Sequence, residues 1–250
     1  MKEFFFALVP GSVFVYRYAP QLQIPRLIGF ALMEIVPFLI VAWLEQISVS
    51  MVVLGFLLLY SVYEIGYIQN DLLAKKEEVG MTERSQFAGF NPITFFTLRV
   101  IPIAGMGCLT YSLCPESFTP VMFCLLILFA VFIVHNALTK PRWRIASFIA
   151  LNTLKIWMRV IILSPAATFY VLGALPHLIV KLIHYLGAKT VVNVSEETMK
   201  TIALPIYLGS VPLLAFVDPK VVLFCLPYLL NHCKAELLRT ANTLLVKHPF

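Results

Sequence analysis

Apolar residues run almost unbroken for stretches of about 20 residues, separated by short polar or charged joints, and runs of that length predict membrane-spanning helices. They place spans near 27–44, 49–69, 96–113, 119–136, 146–164, 168–186, 201–217 and 220–233, the last of them short. The implied fold is an all-α polytopic helical bundle of about eight transmembrane helices around a cytoplasm-facing cavity. Lipid-facing backbone must satisfy its own hydrogen bonds, which helices do within one segment. A barrel would need alternating ten-residue strands, and none is present. Little chain remains between the runs, so residues 1–250 read as a single integral membrane domain. Residues 1–25 carry a shorter apolar run behind Lys2, interrupted by Pro10 and Gly11 and followed by no A-x-A cleavage site. That pattern predicts a retained interfacial or re-entrant helix rather than a signal peptide.

Composition agrees with the pattern: 60% of the residues are hydrophobic, 13% are charged, and the mean hydropathy is +0.88. The net charge of +6 would suit a nucleic-acid partner, but its distribution points to membrane topology instead. With eight spans, most of the 19 Lys and Arg residues fall on the side shared by the termini. They include Lys75, Lys76, Arg84 and Arg99 in one connection and Lys140, Arg142 and Arg144 in the next. By the positive-inside rule both termini are then cytoplasmic. The opposite loops, such as "CPESFTP" and "SPAA", are short. The five cysteines include no C-x-x-C pair and read as small core residues, without support for zinc or redox chemistry.

The longest connection, residues 70–95, follows the second span directly and opens with Asn70-Asp71. Lys75, Lys76, Glu77 and Glu78 favour helix before Gly80, and Asn91-Pro92 marks a turn before the third span. Glu64 and Asp71 lie two helical turns apart and share a face with a stripe of Tyr60, Tyr63, Tyr67 and Asn70. Two readings of Asp71 and Glu78 stay open at this point. They are oxygen ligands for Mg²⁺ beside a phosphate, or solvated charges at a helix end. Glu64 lies within the apolar run, where an ionisable group is expensive and faces a bundle interior.

The fifth span supplies the complement. Asn152, Lys155 and Arg159 follow i, i+3, i+7 spacing and so share one face. Lys155 is too central to snorkel, so it must meet an acid, a water-filled cavity or an anionic ligand; Glu34 and Glu64 are the candidate acids. Arg159 lies closer to the far surface and can snorkel there. The joint "HNALTKPRWR" brings His135, Lys140, Arg142 and Arg144 to the side of Asp71. Its cations suit an anionic substrate as well as plain topology. Ser195 reads as a helix cap with acids in the first turn.

Asn70-Asp71 at the end of the second span resembles the first Asp-rich motif, N-D-x-x-D-x-x-x-D, of UbiA-type intramembrane prenyltransferases. The corresponding positions here read Asn70, Asp71, Ala74 and Glu78, and Lys140 and Arg142 follow the fourth span as in that family. The likeness covers about residues 26–165. It implies a helical bundle around a lipid-open cavity. There, Mg²⁺ held by Asp-rich motifs binds a prenyl diphosphate whose prenyl group passes to an acceptor. Asn70 and Asp71 would contact the metal and diphosphate, Glu78 would assist, and Lys140 and Arg142 would hold phosphate. Ala74 replaces one acid of the motif, and no second Asp-rich motif is recognisable between the sixth and seventh spans.

The function expected from these readings is Mg²⁺-assisted transfer from a polyprenyl or isoprenoid phosphate or diphosphate. Asp71 and Lys155 are its catalytic candidates; Asn70, Glu64, Tyr67, Lys140, Arg142, Asn152 and Arg159 line the substrate site, and Asp71 and Glu78 hold the metal. The expected partners are a lipid-linked phosphate or diphosphate and the membrane, with no nucleic acid. A family branch that moves phosphoribose from phosphoribosyl diphosphate to polyprenyl phosphate is the alternative transferase. A transporter, or a non-catalytic scaffold of a lipid or glycan biosynthetic complex, is the rival class.

Overall fold

A computed structural model describes residues 2–18, 24–73, 91–189, 191–192 and 195–247. Every regular element among them is a helix: α1 (Lys2–Leu8), α2 (Ser12–Tyr18), α3 (Ile24–Glu34), α4 (Val36–Leu44), α5 (Val49–Leu73), α6 (Pro92–Leu113), α7 (Pro115–Ala137), α8 (Arg144–Leu163), α9 (Leu175–Ala188), α10 (Glu196–Val217) and α11 (Pro219–Lys247). Among the described residues, six stretches are long and apolar enough to cross a membrane: Leu27–Leu44, Val49–Asp71, Pro92–Leu113, Pro115–Ala137, Arg144–Leu163 and Pro165–Ala188. The chain is an integral membrane protein by that measure. The apolar part of α10, Thr201–Val217, is shorter.

The helices start where the sequence supplies caps. Asn91 Oδ1 accepts from the Ile93 and Thr94 amides at 3.0 and 3.3 Å, and Pro92 takes the first helical position, where no donor is needed. Ser195 accepts from the Thr198 amide at 3.1 Å to open α10. The buried Cys114 joins α6 to α7, and Pro115 begins α7.

The chain forms two compact units, Met1–Pro20 with Glu45–Thr168, and Gln21–Leu44 with Phe169–Phe250. In the first, α5 is the central helix and packs against α2, α6, α7 and α8. Buried residues make up 72% of the apolar window of α5 but only 28% of that of α6. Two glycines let neighbours approach α5 closely. A Cβ on Gly66 would collide with the Phe132 ring of α7, and one on Gly55 would lie 2.7 Å from Ile162 Cγ2 of α8. Helices α1 and α2 form a short hairpin that turns at Gly11, whose φ of 87° suits glycine. Its Phe6, Ala7 and Val13 join Ile65 and Ile68 of α5 and Phe95 of α6 in one apolar cluster.

In the second unit, α11 packs against α3, α4, α9 and α10. The α3–α4 span bends at Ile35 because Pro37 has no amide to donate. The i to i−4 bonds persist on both sides, Ile35 N to Ala31 O at 3.0 Å and Leu39 N to Ile35 O at 3.1 Å, so the span is kinked rather than unwound. An aromatic column fills the core. His177 Nδ1 lies 3.1 Å from the Tyr207 hydroxyl, and its ring stacks on Tyr228 with centroids 4.4 Å apart.

Candidate functional site

The polar residues of the first unit gather along the seam between α5 and α8, which run antiparallel. Toward the start of α5, Gly55 faces Arg159 and Ile162 of α8. In mid-span, Lys155 Nζ lies 5.7 Å from the Tyr60 ring centroid and 5.2 Å from that of Tyr63. At the far end of α5, Arg144 Nη2 donates to Asn70 Oδ1 at 3.2 Å. As α5 rises from residue 55 to 70, α8 descends from 159 to 144, which keeps these pairs in step.

Lys155 is 7% exposed, and the two ring faces offer its ammonium the negative side of their quadrupoles. Tyr63 in turn meets Tyr67 and Phe132 edge-on at 5.1 and 4.8 Å, so the aromatic wall is fixed from behind. Asn152 and Arg159 are buried on the same side of α8, as their spacing predicts. Asn152 Nδ2 donates to Phe148 O at 2.8 Å, and Arg159 Nε donates to Lys155 O at 3.1 Å. Arg159 thus lies back along its own helix near Gly55 and is buried.

Around the end of α5 the polar groups interlock. Asn136 Nδ2 donates to Gly66 O at 3.1 Å and to Gln69 Oε1 at 3.2 Å. His135 Nδ1 shares a hydrogen bond of 2.8 Å with Ser147 Oγ, the helix-end role a lone histidine there suggests. Asp71 is buried in this end of the unit, whereas Lys140 and Arg142 are exposed, with Arg142 over the Trp143 ring at 5.5 Å. The buried cation beside Asn70 is therefore Arg144, which a reading of the loop as plain topology overlooks. Its signal was available: Arg144 stands three helical turns before Lys155 and so on the same face.

Glu64 belongs to a different constellation. Its carboxylate accepts from the Gly11 amide at 3.1 Å and the Phe14 amide at 2.7 Å, and it pairs with the guanidinium of Arg99. Both side chains of that pair are fully buried. Arg99, counted among the cytoplasmic loop cations from sequence, lies inside α6 above the Phe95 ring at 5.1 Å. Glu64 therefore pairs with Arg99.

The hard-oxygen donors at the end of α5 are the Asp71 carboxylate and the Asn70 amide oxygen, the latter engaged by Arg144. Among the described residues no three His, Cys, Asp or Glu side chains cluster to hold a metal. Glu78 and Ala74 lie outside the described residues. One carboxylate still fits Mg²⁺ of the kind that keeps several waters and takes its other ligands from substrate phosphates. A separate apolar cavity of about 380 Å³ opens between α5, α6 and α7, lined by Val62, Ile65, Phe96, Val100, Met122 and Phe129 among others.

No protein-family model matches this chain, and no curated protein or solved structure matches it either.

Proposed function

We propose that this chain is a UbiA-like membrane transferase acting on a polyprenyl or isoprenoid phosphate or diphosphate, with the α5–α8 seam as its site. The observation that carries the reading is the alignment of Arg144, Lys155 and Arg159 on one buried face of α8, opposite Asn70 and the tyrosines of α5. Intramembrane cations are expensive and mark sites for anions or charge relays. On this reading Arg144 and Lys155 bind the phosphate end of the lipid, and Asp71 holds Mg²⁺ when the metal is bound. Mg²⁺ would supply charge neutralisation of the leaving diphosphate. The protein's own cations add fixed electrostatic stabilisation in a medium poor in water. The isoprenoid tail would lie in an apolar groove such as that between α5, α6 and α7.

The finer topology belongs to the same proposal: eight crossings, with 201–217 and the first part of α11 as the last two, and both termini cytoplasmic. Transfer of phosphoribose to a polyprenyl phosphate uses the same anion-binding face and is the second branch of this reading.

The deciding experiment measures binding of labelled polyprenyl phosphate, prenyl diphosphate and phosphoribosyl diphosphate to the purified protein, with and without Mg²⁺. Mg²⁺-dependent binding that weakens in Asp71→Asn and Lys155→Met is the expected result, and the preferred ligand names the branch. Absence of binding to all three by folded protein overturns the transferase and leaves the transporter or the scaffold.

A further inference from the structure

We propose that the α1–α2 hairpin is a lid over the Tyr60 side of the seam, and that the buried Glu64–Arg99 pair is its latch. The inference deepens the transferase reading, since the residues covered are those assigned to the substrate, but the latch itself is independent of any ligand. Three observations meet here. Both helices have 7 residues, too short to cross a bilayer, so the hairpin's place depends on what it docks against. Its backbone attachment to α5 converges on one side chain, with the Gly11 and Phe14 amides both donating to Glu64. The Phe14 amide belongs to the first turn of α2 and the Gly11 amide immediately precedes it, where a helix has no acceptors of its own and where an anion is favoured.

The lid also touches the candidate site. The Phe14 ring lies edge-on to Tyr60, with centroids 5.1 Å apart, and Tyr60 is fully buried. The ammonium of Lys155 is another neighbour of the same ring, 5.7 Å from its centroid. Lifting α2 would therefore uncover a ring that helps hold the buried cation.

Arg99 makes such a movement feasible. An intramembrane carboxylate abandoned by two amide donors would be a prohibitive charge if it stood alone. Arg99 sits on α6, not on the hairpin, so the pair stays neutral whether the lid is shut or open. Its Nε and Nη1 atoms have no hydrogen-bond partner among the described residues, so its ion pair is with Glu64 and not with the hairpin. Opening then breaks two backbone hydrogen bonds and part of the Phe6–Ala7–Val13 cluster, while the α5–α8 bundle is left intact.

The test is hydrogen–deuterium exchange on the full chain in lipid nanodiscs, comparing wild type with Glu64→Leu/Arg99→Met. That double variant removes the acceptor without leaving a buried charge, so the bundle should keep its fold. Exchange across residues 9–18 is expected to speed up at least tenfold, with α5, α7 and α8 changed by less than twofold. Unchanged exchange at 9–18 overturns the latch, and acceleration throughout the unit overturns the lid as a separate element. A second readout replaces the five native cysteines by alanine and places Tyr60→Cys under the lid. A membrane-permeant maleimide should label it at least tenfold faster without the latch; equal rates would refute the cover. Neither readout uses a substrate, so failure of the transferase reading would show separately, as absent ligand binding in the wild type.

Discussion

Arg144 and Asn70 meet across 74 residues of sequence, with the guanidinium donating to the amide oxygen at 3.2 Å. The contact joins the end of the central helix to the start of the helix that carries Lys155. It holds a cation at the mouth of the seam and turns the amide of Asn70 to a fixed orientation beside Asp71. Arg142, two residues earlier, is exposed.

The two arginines should therefore separate in any assay of anion binding. Replacing Arg144 by Met removes a charge-assisted hydrogen bond worth about 1.5–3 kcal/mol, or roughly tenfold to a hundredfold in affinity. Arg142→Met should change affinity by less than about twofold, because an exposed charge is screened. Titration of the two variants with a lipid phosphate, at low and moderate salt, measures the difference.

Lys155 and Tyr63 offer a second, ligand-free test. Tyr63→Leu keeps an apolar side chain but takes away a ring face at 5.2 Å from the ammonium. A cation–π contact is worth about 0.5–1 kcal/mol when exposed and about 2 kcal/mol or more when desolvated. A double-mutant cycle with Lys155→Met, read by thermal unfolding in detergent, should give a coupling on the order of 1 kcal/mol. Zero coupling would mean that the ring is only packing material.

Gly66 tests the closeness of α5 and α7. Any Cβ at this position runs into the Phe132 ring, so Gly66→Val should destabilise the protein by about 1–3 kcal/mol through overpacking. Shrinking the obstacle should restore part of the loss, so Gly66→Ala/Phe132→Leu is expected to melt above Gly66→Ala alone. Gly105, with open space around it, serves as the control: Gly105→Ala should be neutral or slightly stabilising, because alanine is the better helix former.

Much of the architecture was legible in the sequence because membrane helices announce themselves by length and apolarity. The spans from 49 to 164 fall within a few residues of α5 to α8. The shared face of Asn152, Lys155 and Arg159 followed from helical spacing alone. The partners of buried charges were not legible, because periodicity gives a residue's face but not what stands opposite. Glu64 and Asp71 share a face of α5, yet Glu64 goes to α2 and Arg99 while the neighbour of Asp71, Asn70, goes to Arg144. Arg99 was misplaced for a related reason. The positive-inside rule counts cations near the ends of spans, and it cannot distinguish one that folds inward from one that stays in the loop. Arg144 was read as a loop cation beside Lys140 and Arg142 because the fifth span was started at 146, two residues after α8 begins.

The Glu64–Arg99 pair yields the sharpest contrast between variants. Removing either partner leaves the other as a buried charge with no compensation, and such losses run to about 3–5 kcal/mol. Glu64→Ala also orphans the Gly11 and Phe14 amides, which adds the desolvation penalty of two unsatisfied donors to the naked guanidinium. Arg99→Met leaves those amides satisfied but strands the carboxylate, so it should destabilise less than Glu64→Ala. Replacing both by apolar residues of similar size removes the charges together but leaves the same two amides without their acceptor, so its effect should be smaller than that of Glu64→Ala. The expected order of melting temperature in detergent is wild type highest and Glu64→Ala lowest, with Glu64→Leu/Arg99→Met and Arg99→Met between them. If the double variant melts below both single variants, the two groups are not acting as a neutralising pair. The carboxylate would then be valued for its amide contacts alone.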